Sequence, residues 1–206
     1  MIRMTRLTVG FDLDMTLIDS GPGIKAAFEA FSARTGVPID ADLVVSRLGP
    51  PLEHELAHWF PEAEVVARAA EYRAAYPTYA IEPSLPMPGA RDAIQAVREA
   101  GGRTIVVTAK NEPHAALHLT HLDMEPDAVI GGLWAEGKAE ALRAYGARVY
   151  VGDHTGDVRG AATAGALSVG VTTGPCDADE LRAAGADVVL ADLTEFRAWW
   201  EGFLAA

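Results

Sequence analysis

Apolar positions along the chain follow two rhythms. Short, continuous apolar runs rich in β-branched residues recur at Leu7–Phe11, Thr104–Ala109, Asp127–Gly132, Arg148–Asp153, Leu167–Thr172 and Ala186–Ala191. Runs of this length without alternation predict strands of a parallel sheet covered on both faces. Between them the apolar residues are spaced by three and four, which predicts helices over 89–100, 112–122, 138–145 and 156–164. Pro113 suits a first helical turn, and Gly101 and Gly165 suit helix ends. The tail places Phe196, Trp199, Trp200 and Phe203 on one helical face, and the two tryptophans are expected in the core. Alternation of this kind predicts a doubly wound α/β architecture.

One stretch breaks the alternation. Between Gly21 and Leu85 no strand pattern stands out. Ile24, Ala27, Phe28 and Phe31 form one helical stripe ending at Gly36. Val65, Ala69, Tyr72 and Tyr76 form another, bounded by Pro61 and Pro77, with shorter helices near 41–47 and 52–58. The pattern predicts an all-helical domain over 21–85, inserted into a core made of 1–20 and 86–206. An insertion after the first strand stands over the C-terminal edge of the sheet, where open α/β sheets bind ligands.

Composition narrows the function. Half of the 206 residues are apolar, enough for a core without disulfides. The single cysteine, Cys176, excludes an intrachain disulfide, and the expected compartment is a reducing cytoplasm. No run approaches the ~18 apolar residues of a membrane span, and the N-terminal apolar run is too short for a signal peptide. A net charge of −12 argues against nucleic acid and anionic membranes as partners, though a local pocket can still hold an anion.

Chemistry gathers at the predicted strand ends. Asp12, Asp14 and Thr16 follow the first strand, Thr108 follows the second long run with Lys110 close behind, Lys138 opens a helix, and Asp153 and Asp157 follow "RVYVG". In a parallel sheet these ends share one edge. Single aspartates and threonines in such places often cap helices or make turns, but successive strand ends all carrying them point to a site. Of three lysines in the chain, two, Lys110 and Lys138, fall in these loops. Two carboxylates about 4 Å apart repel by roughly 4 kcal/mol at an effective dielectric near 20. Either their proton affinity rises or a cation binds, and an all-oxygen ligand set suits Mg²⁺.

"DLDMT", Thr108, Lys138 and "GDHTGD" together resemble the four motifs of the haloacid dehalogenase superfamily, in its phosphatase branch. The likeness covers nearly the whole chain. The insertion resembles the cap of phosphoglycolate-phosphatase-like and β-phosphoglucomutase-like members, and "PMPGARDAIQAVREAGGRTIVVTAK" resembles their cap-return and second-motif region. The resemblance implies a Rossmann-like core with a helical cap. It implies Asp12 as nucleophile, forming an aspartyl-phosphate, and Asp14 as general acid and base. Mg²⁺ would lie on the Asp12 and Asp153 carboxylates and the Asp14 carbonyl oxygen. Thr108 and Lys138 would bind the transferring phosphoryl group, with Thr16 and Asp157 supporting them. Arg47 and His54 sit where related caps place substrate-facing loops. The substrate class implied is a small phosphorylated metabolite.

The chain departs from the family pattern in places. Met15 stands where glycine is usual, Ala109 offers no side-chain hydrogen bond, and the third motif lacks the usual Lys-Pro pair, which leaves Lys110 as the fallback for Lys138. His154 replaces a common serine and is expected to face solvent. Lys25, on the first cap helix, is a candidate for pointing inward. His114, His118 and His121 lie on one helix, expected outside the sheet, and no carboxylate motif accompanies them for zinc. A phosphomutase of the same family would use the same residues, whereas dehalogenases lack the second aspartate and a phosphonatase needs a suitable cap lysine. A non-catalytic Mg²⁺- or phosphate-binding module is the alternative outside enzymes.

Overall fold

The computed structural model describes residues 7–206. Residues 1–6, the start of the predicted core segment and of the N-terminal run, lie outside the described residues. The chain begins with β1 (Thr8–Phe11) and a short β2 (Ile18–Asp19), then α1 (Gly21–Thr35), α2 (Ala41–Val45), α3 (Leu52–Leu56) and α4 (Glu62–Ala80). A short β3 (Leu85–Pro86) leads to α5 (Ala90–Glu99), β4 (Arg103–Val107), α6 (Glu112–His121) and β5 (Ala128–Ile130). The rest alternates as α7 (Lys138–Ala144), β6 (Ala147–Gly152), α8 (Thr155–Ala164), β7 (Leu167–Val171), α9 (Ala178–Ala183), β8 (Val188–Leu190) and α10 (Phe196–Ala205).

Six strands form one parallel sheet in the order β5-β4-β1-β6-β7-β8. The order turns back at β1, so the chain's first strand lies between β4 and β6 and their carboxyl ends meet. Crevices of this kind are where such sheets bind ligands. Fully buried Val9, Phe11, Val106, Val149 and Val151 fill the sheet, as continuous apolar runs require. Trp200 is 1% exposed against this core and stacks near Phe196, as its spacing predicts. Helix α9 was not marked by the periodicity. It is short, and an Asp177–Glu180 capping box starts it.

Helices α1–α4 pack around a separate apolar cluster that includes Ile24, Phe28, Phe31, Leu56, Val65, Tyr72 and Tyr76. The sequence showed no strand at its borders, yet Ile18–Asp19 and Leu85–Pro86 pair antiparallel where the chain leaves and re-enters the core. Two residues per strand are too few to show a period. Pro77 does not end the second long helix as expected, because α4 runs on to Ala80. A helical proline has no N–H for the carbonyl four residues earlier. That carbonyl belongs to Arg73, and it faces the His114 ring of α6. Lys25 points outward and pairs with Asp42 on the surface. Among the described residues no helix is long and apolar enough to cross a membrane.

Gly23 of α1 lies directly against the end of α4. A Cβ there would sit 2.1 Å from the Ala80 carbonyl oxygen. Gly23→Ala is therefore expected to destabilise the protein by about 1–3 kcal/mol, as overpacking does, read as a lower urea midpoint with unchanged slope.

Candidate active site

Sheet topology brings four loops to one edge. Asp12 follows β1 directly, Thr108 follows β4, Asp153 follows β6, and Lys138 is the first residue of α7. The Lys138 side chain is fully buried, so its ammonium needs acceptors. It has three, with Nζ 2.9 Å from Asp12 Oδ1, 2.6 Å from Asp157 Oδ1 and 2.8 Å from the Tyr150 hydroxyl. Tyr150 in turn donates to the Val107 carbonyl at 2.7 Å. Lys138 rather than Lys110 thus lies beside Asp12. Thr16 donates to Asp153 Oδ1 at 2.8 Å.

Asp12, Asp153 and Asp157 each offer a carboxylate oxygen, all within 4.8 Å of one another, and all three are buried. Among the described residues, one ammonium, Lys138, offsets them there. Burial, only partly countered by Lys138, pushes the Asp12 carboxyl up to about 7, with Asp157 and Asp14 adding to the rise. Burial, followed by Asp12 and Asp157, raises Asp153 well above the carboxylate range. The surplus negative charge and the all-oxygen donors fit a hard divalent cation. Gly174 keeps room for the cluster, since a Cβ there would lie 1.7 Å from Asp153 Oδ2.

Asp14 has a different environment two residues away. Burial raises its proton affinity, but Lys110 at 3.0 Å, a 2.5 Å hydrogen bond from Ser20 and the nearby His118 carry the carboxyl below its usual value. Lys110 also donates to the Tyr76 hydroxyl of α4 at 2.7 Å, and that hydroxyl meets His118 Nε2 at 2.9 Å. Among the described residues, the buried His118 Nδ1 has no partner. Burial, then Lys110, pushes His114 down to about 4 and His118 to about 3, so both are neutral at neutral pH.

The structure departs from the sequence reading at three histidines. His114 and His118 are not on an outer face; they are buried beneath α4, with His114 stacked on Tyr76. His154 does not face solvent. Its ring lies 4.9 Å from Trp134, its Nδ1 accepts from the Gly156 N–H, and it caps α8. The unusual Met15 occupies left-handed backbone with φ 58°, the conformation for which a glycine is the ordinary choice. Tyr150, Tyr76 and Ser20 were not foreseen as neighbours of the site. For Tyr150, a single polar hydroxyl in an apolar strand was the available signal.

A cavity of about 300 Å³ opens beside Asp12, Asp14 and Thr108 and is roofed by α1, α3 and α4. Arg47 and His54 line it, together with Lys110 and Tyr76. Lys138, Asp153 and Asp157 stand behind Asp12 rather than on its wall.

This arrangement has known counterparts. A family model of haloacid dehalogenase-like hydrolases matches residues 9–162, and a second, HAD-hydrolase-like, matches 139–196. The chain belongs to the haloacid dehalogenase-like hydrolase family. It is 34% identical over 184 residues to the tyrosine-protein kinase PtkA of Mycobacterium tuberculosis, covering 82% of this chain but only 63% of that protein's length. It is 31% identical to the phosphoglycolate phosphatase of Neisseria gonorrhoeae, over 81% of this chain and 80% of the relative. Among solved structures, a haloacid dehalogenase-like hydrolase from Bacteroides fragilis superposes with TM-score 0.81 at 25% identity, over 93% of this chain and 99% of that one.

The raised carboxyls would make binding of a cation here pH-dependent. Between the unfolded value near 3.8 and about 7, folded Asp12 holds more proton than the unfolded chain. Its contribution to stability therefore falls as pH rises through that window. A bound cation removes the penalty and must compete with the proton. If a divalent cation binds this cluster, it is expected to raise the melting temperature more at pH 8 than at pH 5, with EDTA reversing the gain, as measured by scanning calorimetry.

Proposed function

We propose that the chain is a Mg²⁺-dependent phosphatase that hydrolyses a small phosphate monoester through an aspartyl-phosphate on Asp12. One observation carries this reading: two aspartates two residues apart lie in opposite environments. Asp12 is held by Lys138 within the acidic cluster, while Asp14 faces the cavity and Lys110. Pairs of carboxyls with divergent surroundings are what a nucleophile and a proton shuttle require. In this reading, residues 21–85 are a cap domain over a core of 1–20 and 86–206, closing the cavity to bulk water during transfer.

In the first step an Asp12 oxygen forms a bond to phosphorus as the ester P–O bond breaks, and Asp14 gives its proton to the leaving oxygen. Asp14 is ionised in the free protein, so this proton enters with the ester. In the second step Asp14 takes a proton from water, which attacks phosphorus and releases Asp12 and phosphate. Thr108 donates to the transferring oxygens, and Lys138 joins it by exchanging its bond to Asp12 for one to them as Asp12 bonds phosphorus. The residues that would hold Mg²⁺ are the Asp12 and Asp153 carboxylates and the Asp14 carbonyl oxygen, with Asp157 orienting Lys138 and Thr16 orienting Asp153. The cation when bound offsets the negative charge of the carboxylates and the phosphoryl group. Support comes from the family match and from the phosphoglycolate phosphatases among the relatives.

With p-nitrophenyl phosphate, Mg²⁺-dependent turnover is expected, abolished by EDTA and lowered at least about 10³-fold by Asp12→Asn. Turnover that survives Asp12→Asn would remove the nucleophile assignment. Asp14→Asn is expected to spare the first step with this ester, whose leaving group departs without a proton, and to block the second. Stopped-flow traces should then show a burst of one equivalent of p-nitrophenolate followed by a slow phase. The absence of a burst, with both phases equally slowed, would contradict the assigned role.

A further inference from the structure

The cavity wall carries three permanent cations, Arg47, Arg73 and Lys110, and each already has a carboxylate. Arg47 Nη2 lies 2.5 Å from Glu55 Oε1, which also accepts from Trp59 Nε1 at 2.8 Å. Arg73 makes two parallel bonds to Glu53, at 2.7 and 3.0 Å. Lys110 is paired with Asp14. Of the histidines on the wall, His114 is stacked on Tyr76 and held neutral, and His54 and His58 are exposed at the rim. Much of the remaining wall is apolar, with Ile24, Phe28, Val44, Leu48, Leu52 and Tyr72.

Among the described residues, a second anionic group on the substrate would find no permanent cation on this wall without a carboxylate; Arg47 Nε has no partner, but it is buried. It would have to displace Glu55 or Glu53, or lie beside them as a like charge. An uncharged group with apolar surface meets no such obstacle and buries against the aliphatic and aromatic side. Resting on the phosphatase reading above, we propose that the leaving group is uncharged and partly apolar, and that Glu55, which lines the cavity, selects against esters bearing a second anion. Specificity of this kind comes from the repulsive element as much as the attractive one. Phosphoglycolate, the ester in the names of several relatives, carries such an anion and is expected to be a poor substrate here.

The test compares benzyl phosphate with its para-carboxylate analogue at pH 8 with Mg²⁺, so that the two leaving oxygens are closely matched. The added carboxylate is expected to lower kcat/KM at least about tenfold, with phosphoglycolate also slow. Glu55→Gln keeps an acceptor for Trp59 and removes the charge, and it is expected to move the ratio about tenfold toward the carboxylate ester. Equal or faster turnover of the carboxylate ester by the unmodified protein overturns the inference while leaving the phosphatase reading intact. A ratio unmoved by Glu55→Gln, in a protein with unchanged melting temperature, overturns the role of Glu55. If neither these esters nor p-nitrophenyl phosphate shows Asp12-dependent turnover, the phosphatase reading falls and takes this inference with it.

Discussion

The fully buried ammonium of Lys138 is the constraint around which the site is arranged. A lysine without water must be surrounded by acceptors or lose its charge. Here burial pulls its proton affinity down, but Asp12, then Asp157, more than reverse this. The acceptors come from the end of β1, the first turn of α8 and the middle of β6, and Tyr150 extends the network to the last carbonyl of β4. Asp12, 126 residues away in sequence, must arrive in register with Tyr150 and Asp157 to satisfy one nitrogen. Removing it would leave buried carboxylates without compensation, which is among the more destabilising changes a core can suffer.

The second lysine links the two halves of the molecule. Lys110 reaches Asp14 on the core side and Tyr76 on α4, and its Nζ lies 4.8 Å from the Tyr76 ring centroid. The same surface of α4 receives His114 on the Arg73 carbonyl that Pro77 leaves open. Placement of the helical insertion and the charge of Asp14 are therefore coupled through shared partners, not through a remote path. The insertion supplies the arginines, Glu55 and apolar side chains that border the cavity, while the sheet edge supplies its acids.

Much of the architecture was legible because its signals are local. Apolar runs of four to six residues marked the six strands of the main sheet, and acids just past them marked the edge where the site lies. Features that depend on a partner were not legible. Pro77 reads as a helix end, yet α4 runs on past it to Ala80, where it packs over α6. His154 reads as exposed, because only Trp134 and the first turn of α8 show what it packs on and caps. The two-residue pairing of β2 with β3 has no period to detect.

By itself, the sequence determined the alternating α/β layout, the family motifs, the helical insertion and the positions of Asp12, Asp14, Thr108, Lys138 and Asp153. Each follows from side-chain period or from residues close together in the chain. Tertiary structure alone decided that Lys138 serves Asp12 and Lys110 serves Asp14, that His114 and His118 are buried, and that the arginines of the cavity are already paired. Pairings of that kind join residues as far as 126 positions apart. Charge interactions fall off within a few ångströms in their effect on proton affinity, so only the folded distances assign them.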